Sequence, residues 1–595
     1  MENALAGGAL LLMAVLPVLE ILLRHVFKTG IPGSVDYEMN LTLWVGFLGA
    51  MVASREKKHL ALSTGTEFMP ARLKRWTGAA ASAVSAGVSA SLAWAAWTFV
   101  RSEFDAPLKI AGWIPKWTVI TILPAAFAVM ALRFVLQAEG WRGKAIAALG
   151  LPAALLVGFV LEPHAAKLLW PGMVAILVAA VLGAPLFVAM GGAALLLFFA
   201  GGEDTPVAAI LIETRKLIVD PSLPMIPLFT LAGFVLAEGR SSERLLRLFR
   251  ALFGWMPGGL AIVATLVCAF FTTFTGASGV TILALGGLLL PMLVSAGYGE
   301  KFSTGLVTSA GSIGLLFPPS LPVILYAIMA RIAIPDLYKA AALPGLLLVI
   351  AVAVLGVREA RRNLVPRQPF TMREAGLALW AAKWELLLPV VALASLFGGF
   401  CGMVEAAAIT VVYALGVQVA IHREMGPVKD LPRVLVSSVT LIGAVLVILG
   451  VAMGLTNYMV DQEIPQQAAE WTRQHVHSRW AFLLLLNFFL IIVGAMMDIY
   501  SAIMVVVPII IPISRAYGVD PLHLGVIFLA NMELGYLTPP VGANLFLASS
   551  RFDKPILKVA AASVPFMLAI LAAVLILTYV PGLSLLWGTG APGGP

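Results

Sequence analysis

Apolar runs near residues 5–24, 38–54, 78–100 and 117–140 open the chain, and runs of similar character continue to about residue 580. Each is close to the 20 or so residues that a helix needs to cross the hydrocarbon core of a bilayer. Only 12% of the 595 residues are charged and 60% are hydrophobic, whereas a soluble globular chain carries about 25% charge. The chain is therefore a polytopic, all-α membrane protein, with room for about 14 to 17 membrane-crossing or re-entrant helices. Period-2 alternation is absent, which argues against an outer-membrane barrel.

The rest of the composition narrows the class. Cys268 and Cys401 stand far apart in apolar surroundings and offer neither a disulfide framework nor metal-ligand spacing, so both read as packing residues. His475 and His477 have the wrong spacing for one helical face, and no catalytic constellation appears, so the chain is not read as an enzyme and no cofactor is expected. A net charge of +8 fits basic cytoplasmic loops, and no nucleic-acid module has room here. Met1–Leu23 carries Glu2 instead of a basic flank and reads as a first span, not as a removed signal.

Charge placement orients the runs. Arg55, Lys57, Lys58, Arg72, Lys74 and Arg75 mark a cytoplasmic loop, which puts the N-terminus in the cytoplasm. Asp36, Glu38, Glu103 and Asp105 then fall on the opposite side. Residues 1–144 form a four-helix domain, which the resemblance given below makes a scaffold, and 145–167 a linking helix. From 168 to 595 the apolar runs become rich in Gly and Pro, which a bilayer tolerates only where broken backbone is buried in protein or lines a cavity.

Those interruptions repeat. Pro291 is followed 27 residues later by Pro318-Pro319, and Pro512 is followed 27 residues later by Pro539-Pro540. Gly314 and Gly535 each stand four residues before the proline pair, and each first proline follows a small or polar interruption, Thr275–Gly279 or Met497–Ser501. Between Arg479 and Arg515 lie 35 residues whose only charge is Asp498. Two full spans and a turn need more than about 40 residues, so two short helices turning inside the membrane fit better. Basic clusters at Arg240–Arg250 and Arg358–Arg373 precede and follow the first hairpin region, while the segment before the second lacks such an excess. Two repeats of inverted topology, about 168–360 and 378–580, follow. The 358–373 cluster is also a lipid headgroup contact.

Inverted repeats with paired broken helices point to a secondary transporter, because half-helix ends present amides to anions and carbonyls to cations. Proline makes the break by removing a donor and freeing a carbonyl four residues earlier. At the first hairpin the expected cation ligands are Thr275, Gly276 and Ser278, facing Pro318 and Ser320. At the second, Asp498 faces Thr538, Pro540 and Gly542. Ser278, Ser320, Asn544 and Glu405 are the candidate substrate contacts, although Glu405 reads equally as a capping charge. Glu533 faces either a cavity or a partner helix. Hydroxyl, carbonyl and carboxylate oxygens suit a hard cation such as Na+.

The motifs Ile226-Pro227-Leu228-Phe229, Thr275-Gly276-Ala277-Ser278, Gly314-Leu315-Leu316-Phe317-Pro318-Pro319-Ser320, Glu405-Ala406-Ala407-Ala408 and Glu533–Gly542 resemble the large membrane subunit of TRAP (tripartite ATP-independent periplasmic) transporters. Trp44–Ala50 and Arg55-Glu56-Lys57-Lys58-His59 resemble the small subunit. The chain departs from the pattern at Gly402-Met403-Val404, usually Thr-Pro-Thr, and at Ala277, often Ser. The resemblance implies an elevator-type transporter of the bacterial inner membrane that imports an organic acid anion, a carboxylate or sulfonate, delivered by a periplasmic substrate-binding protein and coupled to Na+. The same resemblance puts Ser278, Ser320, Asp498 and Thr538 in the ion and substrate region. It leaves the substrate, the number of Na+ ions, and a monomer or dimer open. One rival is a stand-alone anion transporter of the same superfamily, active without a binding protein. Another is a non-transporting subunit of an energy-transducing complex, which would need redox-cofactor ligands that the sequence lacks.

Overall fold

A computed structural model describes residues 2–59, 71–104, 108–160, 165–201, 206–367, 369–398, 401–539 and 542–586. Of the residues singled out above, Asp105 and Pro540 lie outside this set. The fold is nearly all helical. Among the described residues, eleven helices are long and apolar enough to cross a membrane, or twelve if one bent pair counts as a span. Among the described residues, the strands form one two-residue antiparallel ladder pairing Lys109 with Pro115 and Ile110 with Ile114.

The chain divides into two compact units. The first comprises Met1–Leu228 and Pro432–Ile464. Its opening helices are α1 (Glu2–Val26), α2 (Ser34–Glu56), α3 (Ala71–Ser102) and α4 (Ile122–Leu136). α1 packs on α2, and α4 packs on both α2 and α3. The helix Asp430–Asp461 joins them from far along the chain through a glycine crossing: a Cβ on Gly49 would lie 2.9 Å from the Gly443 Cα. Backbones approach this closely only where side chains are absent, a common device between apolar helices.

The second unit comprises Phe229–Leu431 and Pro465–Pro595. Two stretches in it share one plan. In the first, α5 (Gly259–Thr275) and α6 (Ser278–Ser295) meet at a tip, and α7 (Glu300–Ala310), the 3-10 turn Ile313–Leu316 and α8 (Leu321–Ala330) form a helix bent by 45°. A long helix, α9 (Ile334–Arg362), follows. In the second, α10 (Arg479–Met496) and α11 (Ile499–Ala516) meet at a tip, and α12 (Pro521–Gly535) and α13 (Ala543–Phe552) flank a break before α14 (Ile556–Tyr579). Pro291 and Pro512 each stand 13 residues into the helix that leaves the tip, so the repeat read from proline spacing recurs in the helix plan.

The two stretches are interlocked. α6 packs on α13 and α11 packs on α8, so the second helix of each tip lies against the second half of the other stretch's broken helix. Ile282 of α6 joins Leu545, Ala548 and Val559 in one buried cluster. Lys554 donates to the Thr304 hydroxyl at 2.7 Å and pairs with Glu300 at 2.8 Å, which puts the start of α7 beside the end of α13. At the opposite ends, the Tyr326 hydroxyl of α8 donates to the Pro521 carbonyl that opens α12. The halves of the two broken helices therefore run in opposite senses.

Candidate functional site

The first tip is formed where α5 stops. Gly276 caps it in the left-handed region at φ 66°, which a side chain would strain, and Ala277 is extended before α6 begins at Ser278. Thr275 and Ser278 are buried there, and the Thr275 hydroxyl donates to the Ala277 carbonyl at 3.4 Å. Two threonines one turn earlier tie the tip to the first break. Thr272 bonds the Gly311 carbonyl at 2.7 Å, and Thr273 bonds the Gly314 carbonyl at 3.0 Å. Gly314 is the residue whose carbonyl Pro318 frees, so Thr273 takes up part of what the proline releases.

The first break runs through Phe317, Pro318, Pro319 and Ser320, with a cis bond between the prolines. Pro318 is half-buried. Ser320 caps the N-terminus of α8, its carbonyl accepts from Tyr338, and its own hydroxyl is buried with no partner. A Cβ on Gly276 would lie 2.9 Å from the Cβ of Leu321, so the first tip rests on the start of α8.

The second tip is built on Asp498. Its carboxylate caps α11, accepting from the amides of Tyr500 and Ser501 at 3.0 Å each and from the Ser501 hydroxyl. Asp498 is half-buried as a residue, and both of its carboxylate oxygens are engaged in the cap. Thr538 does not bond to it: that hydroxyl donates to the Leu534 carbonyl at 2.9 Å. Gly542, left-handed at φ 50°, sends its amide to the Ala495 carbonyl at 3.1 Å. Gly494 and Gly535 bring α10 and α12 into backbone contact. Asn544 donates to the Thr308 carbonyl at 3.3 Å, while its own side-chain oxygen is buried and unpartnered.

Glu405 belongs elsewhere. It caps the helix Met403–Leu415, accepting from the Gly402 amide at 2.6 Å, and that helix packs on Met372–Phe397. The capping reading of Glu405 is the one that the geometry expresses.

Two residues not singled out by the sequence reading complete the arrangement. The Tyr500 hydroxyl on the second tip donates to the Gly276 carbonyl on the first. The Tyr536 hydroxyl accepts the Ile499 amide at 2.7 Å, joining the second break to the second tip. The four ends are linked in a ring: tip to tip through Tyr500, second tip to second break through Tyr536 and Gly542, the start of α13 to the last turn of α7 through Asn544, and the first tip to the turn that leads into the first break through Thr272 and Thr273. Buried tyrosines within Gly-rich interruptions were the available signal, because a buried phenol seeks a hydrogen-bond partner.

Helix ends gather around this ring. α6, α8, α11 and α13 begin there, and α5, the 3-10 turn, α10 and α12 end there. Starting ends carry partial positive charge and stopping ends partial negative charge, so one small volume presents amides to an anion and carbonyls to a cation. The side chains add hydroxyl, amide and carboxylate oxygens. No group of three or more His, Cys, Asp or Glu suited to a metal ion occurs among the described residues.

Comparison with known proteins identifies the family. Residues 173–583 match the family described as "Tripartite ATP-independent periplasmic transporter, DctM component", and residues 13–143 match the DctQ component. The C4-dicarboxylate TRAP transporter large permease protein DctM of Pseudomonas aeruginosa is 35% identical over 67% of this chain and 92% of its own length. The isethionate TRAP transporter permease protein DctMQ of Oleidesulfovibrio alaskensis is 29% identical over 91% of this chain and 86% of its own length. The crystal structure of the Alcanivorax borkumensis YdaH transporter aligns with a TM-score of 0.45 at 16% identity, covering 60% of this chain and 85% of that one.

Proposed function

The chain belongs to the tripartite ATP-independent periplasmic transporter family, with DctQ and DctM components in one polypeptide, and from this premise we propose that it is a Na+-coupled importer of an organic acid anion. The observation that carries the reading is the ring of tips and breaks. It holds oppositely charged helix ends together with Thr275, Ser278, Ser320, Asp498 and Asn544, as co-binding of a cation and an anion requires. Transporters of this family work with a periplasmic substrate-binding protein, and such a protein would deliver the anion here. The relatives are named for C4-dicarboxylate, isethionate and ectoine. A carboxylate or sulfonate is the substrate class in keeping with those names.

In this reading the two tips are re-entrant, and α5–α8 and α10–α13 travel as one body, an elevator movement in the bacterial inner membrane with the N-terminus cytoplasmic. Na+ sits at carbonyl ends near Gly276 and Gly542, with the Asp498 carboxylate adding charge. Each ligand raises the other's affinity by the same factor, which is what coupling means thermodynamically. The unpartnered oxygens of Ser320 and Asn544 supply the remaining contacts.

The test is uptake into proteoliposomes with the binding protein present. Uptake is expected only with Na+, and equal uptake in K+ would overturn the coupling. Asp498→Asn isolates the charge, because Asn still accepts the cap bonds. It is expected to fold normally and to weaken Na+ activation at least tenfold, whereas an unchanged Na+ requirement would remove Asp498 from the cation site.

A further inference from the structure

α12 is enclosed along nearly its whole length, and Glu533 stands in it fully buried. Neither carboxylate oxygen has a hydrogen-bond partner among the described residues, and no basic side chain comes within ion-pair distance. Polar neighbours on the same helix are engaged: Asn531 donates to Asn487, and His523 lies between Ser584 and Thr578. The titratable side chains on the elements packed against α12 belong to α8 (Tyr326), α9 (Asp336, Tyr338, Lys339, Arg358, Glu359, Arg361, Arg362), α10 (Arg479), α11 with its cap (Asp498, Tyr500, Arg515) and α14 (Lys558, Tyr579). None of them bonds Glu533, and neither does Tyr536 one turn on in its own segment.

The contrast with Asp498 is sharp, since that carboxylate has two amides and a hydroxyl while Glu533 has no donor among the described residues. A bare carboxylate buried without donor or cation costs several kcal/mol. No cluster of three or more His, Cys, Asp or Glu side chains that could hold a metal ion stands at Glu533 among the described residues. A proton needs no such cluster, because it converts one oxygen into a donor that a helix carbonyl can accept.

Glu533 is also connected to the ring. Tyr536 follows one turn later and holds the Ile499 amide of the second tip. We propose that Glu533 binds a proton and that a cation loading at the second tip expels it, so that Na+ is taken up in exchange for H+ at this residue. The carboxyl O–H bond breaks, its electron pair stays on the carboxylate, and the proton leaves to water. The approaching positive charge favours the ionised carboxylate, and by linkage the proton weakens Na+ binding by the same factor. This inference rests on the cation reading given above.

The experiment uses the full chain in detergent, wild type against Glu533→Gln, which replaces the carboxyl with a neutral group of the same size. The infrared spectrum in Na+-free choline chloride is expected to show a protonated-carboxyl band in the wild type that the variant lacks. Adding NaCl in weak buffer with a pH dye is expected to release protons from the wild type and not from the variant. Half-saturating Na+, followed by tryptophan fluorescence, should rise by up to about tenfold per pH unit of acidification in the wild type and stay flat in the variant, the limit for one-for-one competition. Identical carboxyl bands, or equal proton release, would overturn the proposal. A wild type that binds Na+ without releasing protons would overturn it without any variant. A wild type with the band but indifferent to Na+ would overturn the exchange and the Na+ reading, leaving only a resident proton at Glu533.

Discussion

Removing one oxygen atom tests whether the ring is a working part. In Tyr500→Phe the ring packing stays, but the Gly276 carbonyl loses a buried donor that comes from the other tip. Leaving a buried acceptor unpaired costs about 1–3 kcal/mol. If the bond holds the tips in the cation-loaded arrangement, that energy appears as a shift of about 5- to 150-fold in half-saturating Na+. The assay is uptake at saturating binding protein over a Na+ titration, paired with a thermal unfolding curve for each variant. Two controls separate coupling from stability. Tyr517→Phe removes an equivalent bond, 2.7 Å to the Val476 carbonyl, outside the ring, and should lower stability without moving Na+ activation. Tyr338→Phe removes only a 3.5 Å contact to Ser320, at the limit of a hydrogen bond, and should change little. A Tyr500→Phe protein that loses stability yet keeps its Na+ titration within twofold would refute the role given to the ring.

Three further outcomes are expected. Ser320→Ala removes a hydroxyl that has no partner among the described residues, so thermal stability should hold while uptake falls about tenfold, the worth of one hydrogen bond to a charged ligand; unaltered uptake would leave that hydroxyl without a ligand role. Gly535→Ala places a methyl 2.5 Å from the Gly494 Cα, and a thermal-shift measurement should report a loss of about 1–3 kcal/mol; a stable variant would mean that α10 and α12 can separate freely. At Glu424, outside the membrane-spanning segments, burial opposes the charge. Hydrogen bonds from Arg244 and from the Arg240 amide nevertheless hold its carboxyl below the ordinary carboxylate value. A carboxyl lowered on folding stabilises the protein above its unfolded value of about 4.3 and loses that contribution as pH falls through the lower folded value. Unfolding curves taken across that acid window should therefore be less pH-dependent in Glu424→Gln, and parallel curves would contradict the assignment.

Some of this was legible in the sequence for local reasons. The breaks at Pro318 and Pro539 were legible because proline lacks a donor and glycine tolerates left-handed backbone, properties that act within a few residues. The tip at Asp498 followed from a short apolar stretch with a polar interruption, and the tip at Gly276 from its correspondence in the repeat. The ring was not legible. Tyr500 and Gly276 stand 224 positions apart, and nothing near either residue specifies the other. The same limit applies to the passage of Asp430–Asp461 into the first unit, which depends on its pairing of Gly443 with Gly49. Asp498 was legible as a rare charge in an apolar stretch, but its capping bonds were not. Capping depends on backbone geometry at the tip, and composition does not reveal it.

The interlock of α6 with α13 sets a timetable for biogenesis. α6 ends at Ser295 and α13 begins at Ala543, so 247 residues must be synthesised between them. At roughly 5–20 residues per second, the first tip waits about 12–50 s for its partner to emerge. Throughout that interval its glycine-rich backbone lacks the surface that later covers it. The candidate site is thus a late product of translation, completed only after α13, which ends at Phe552, has been synthesised.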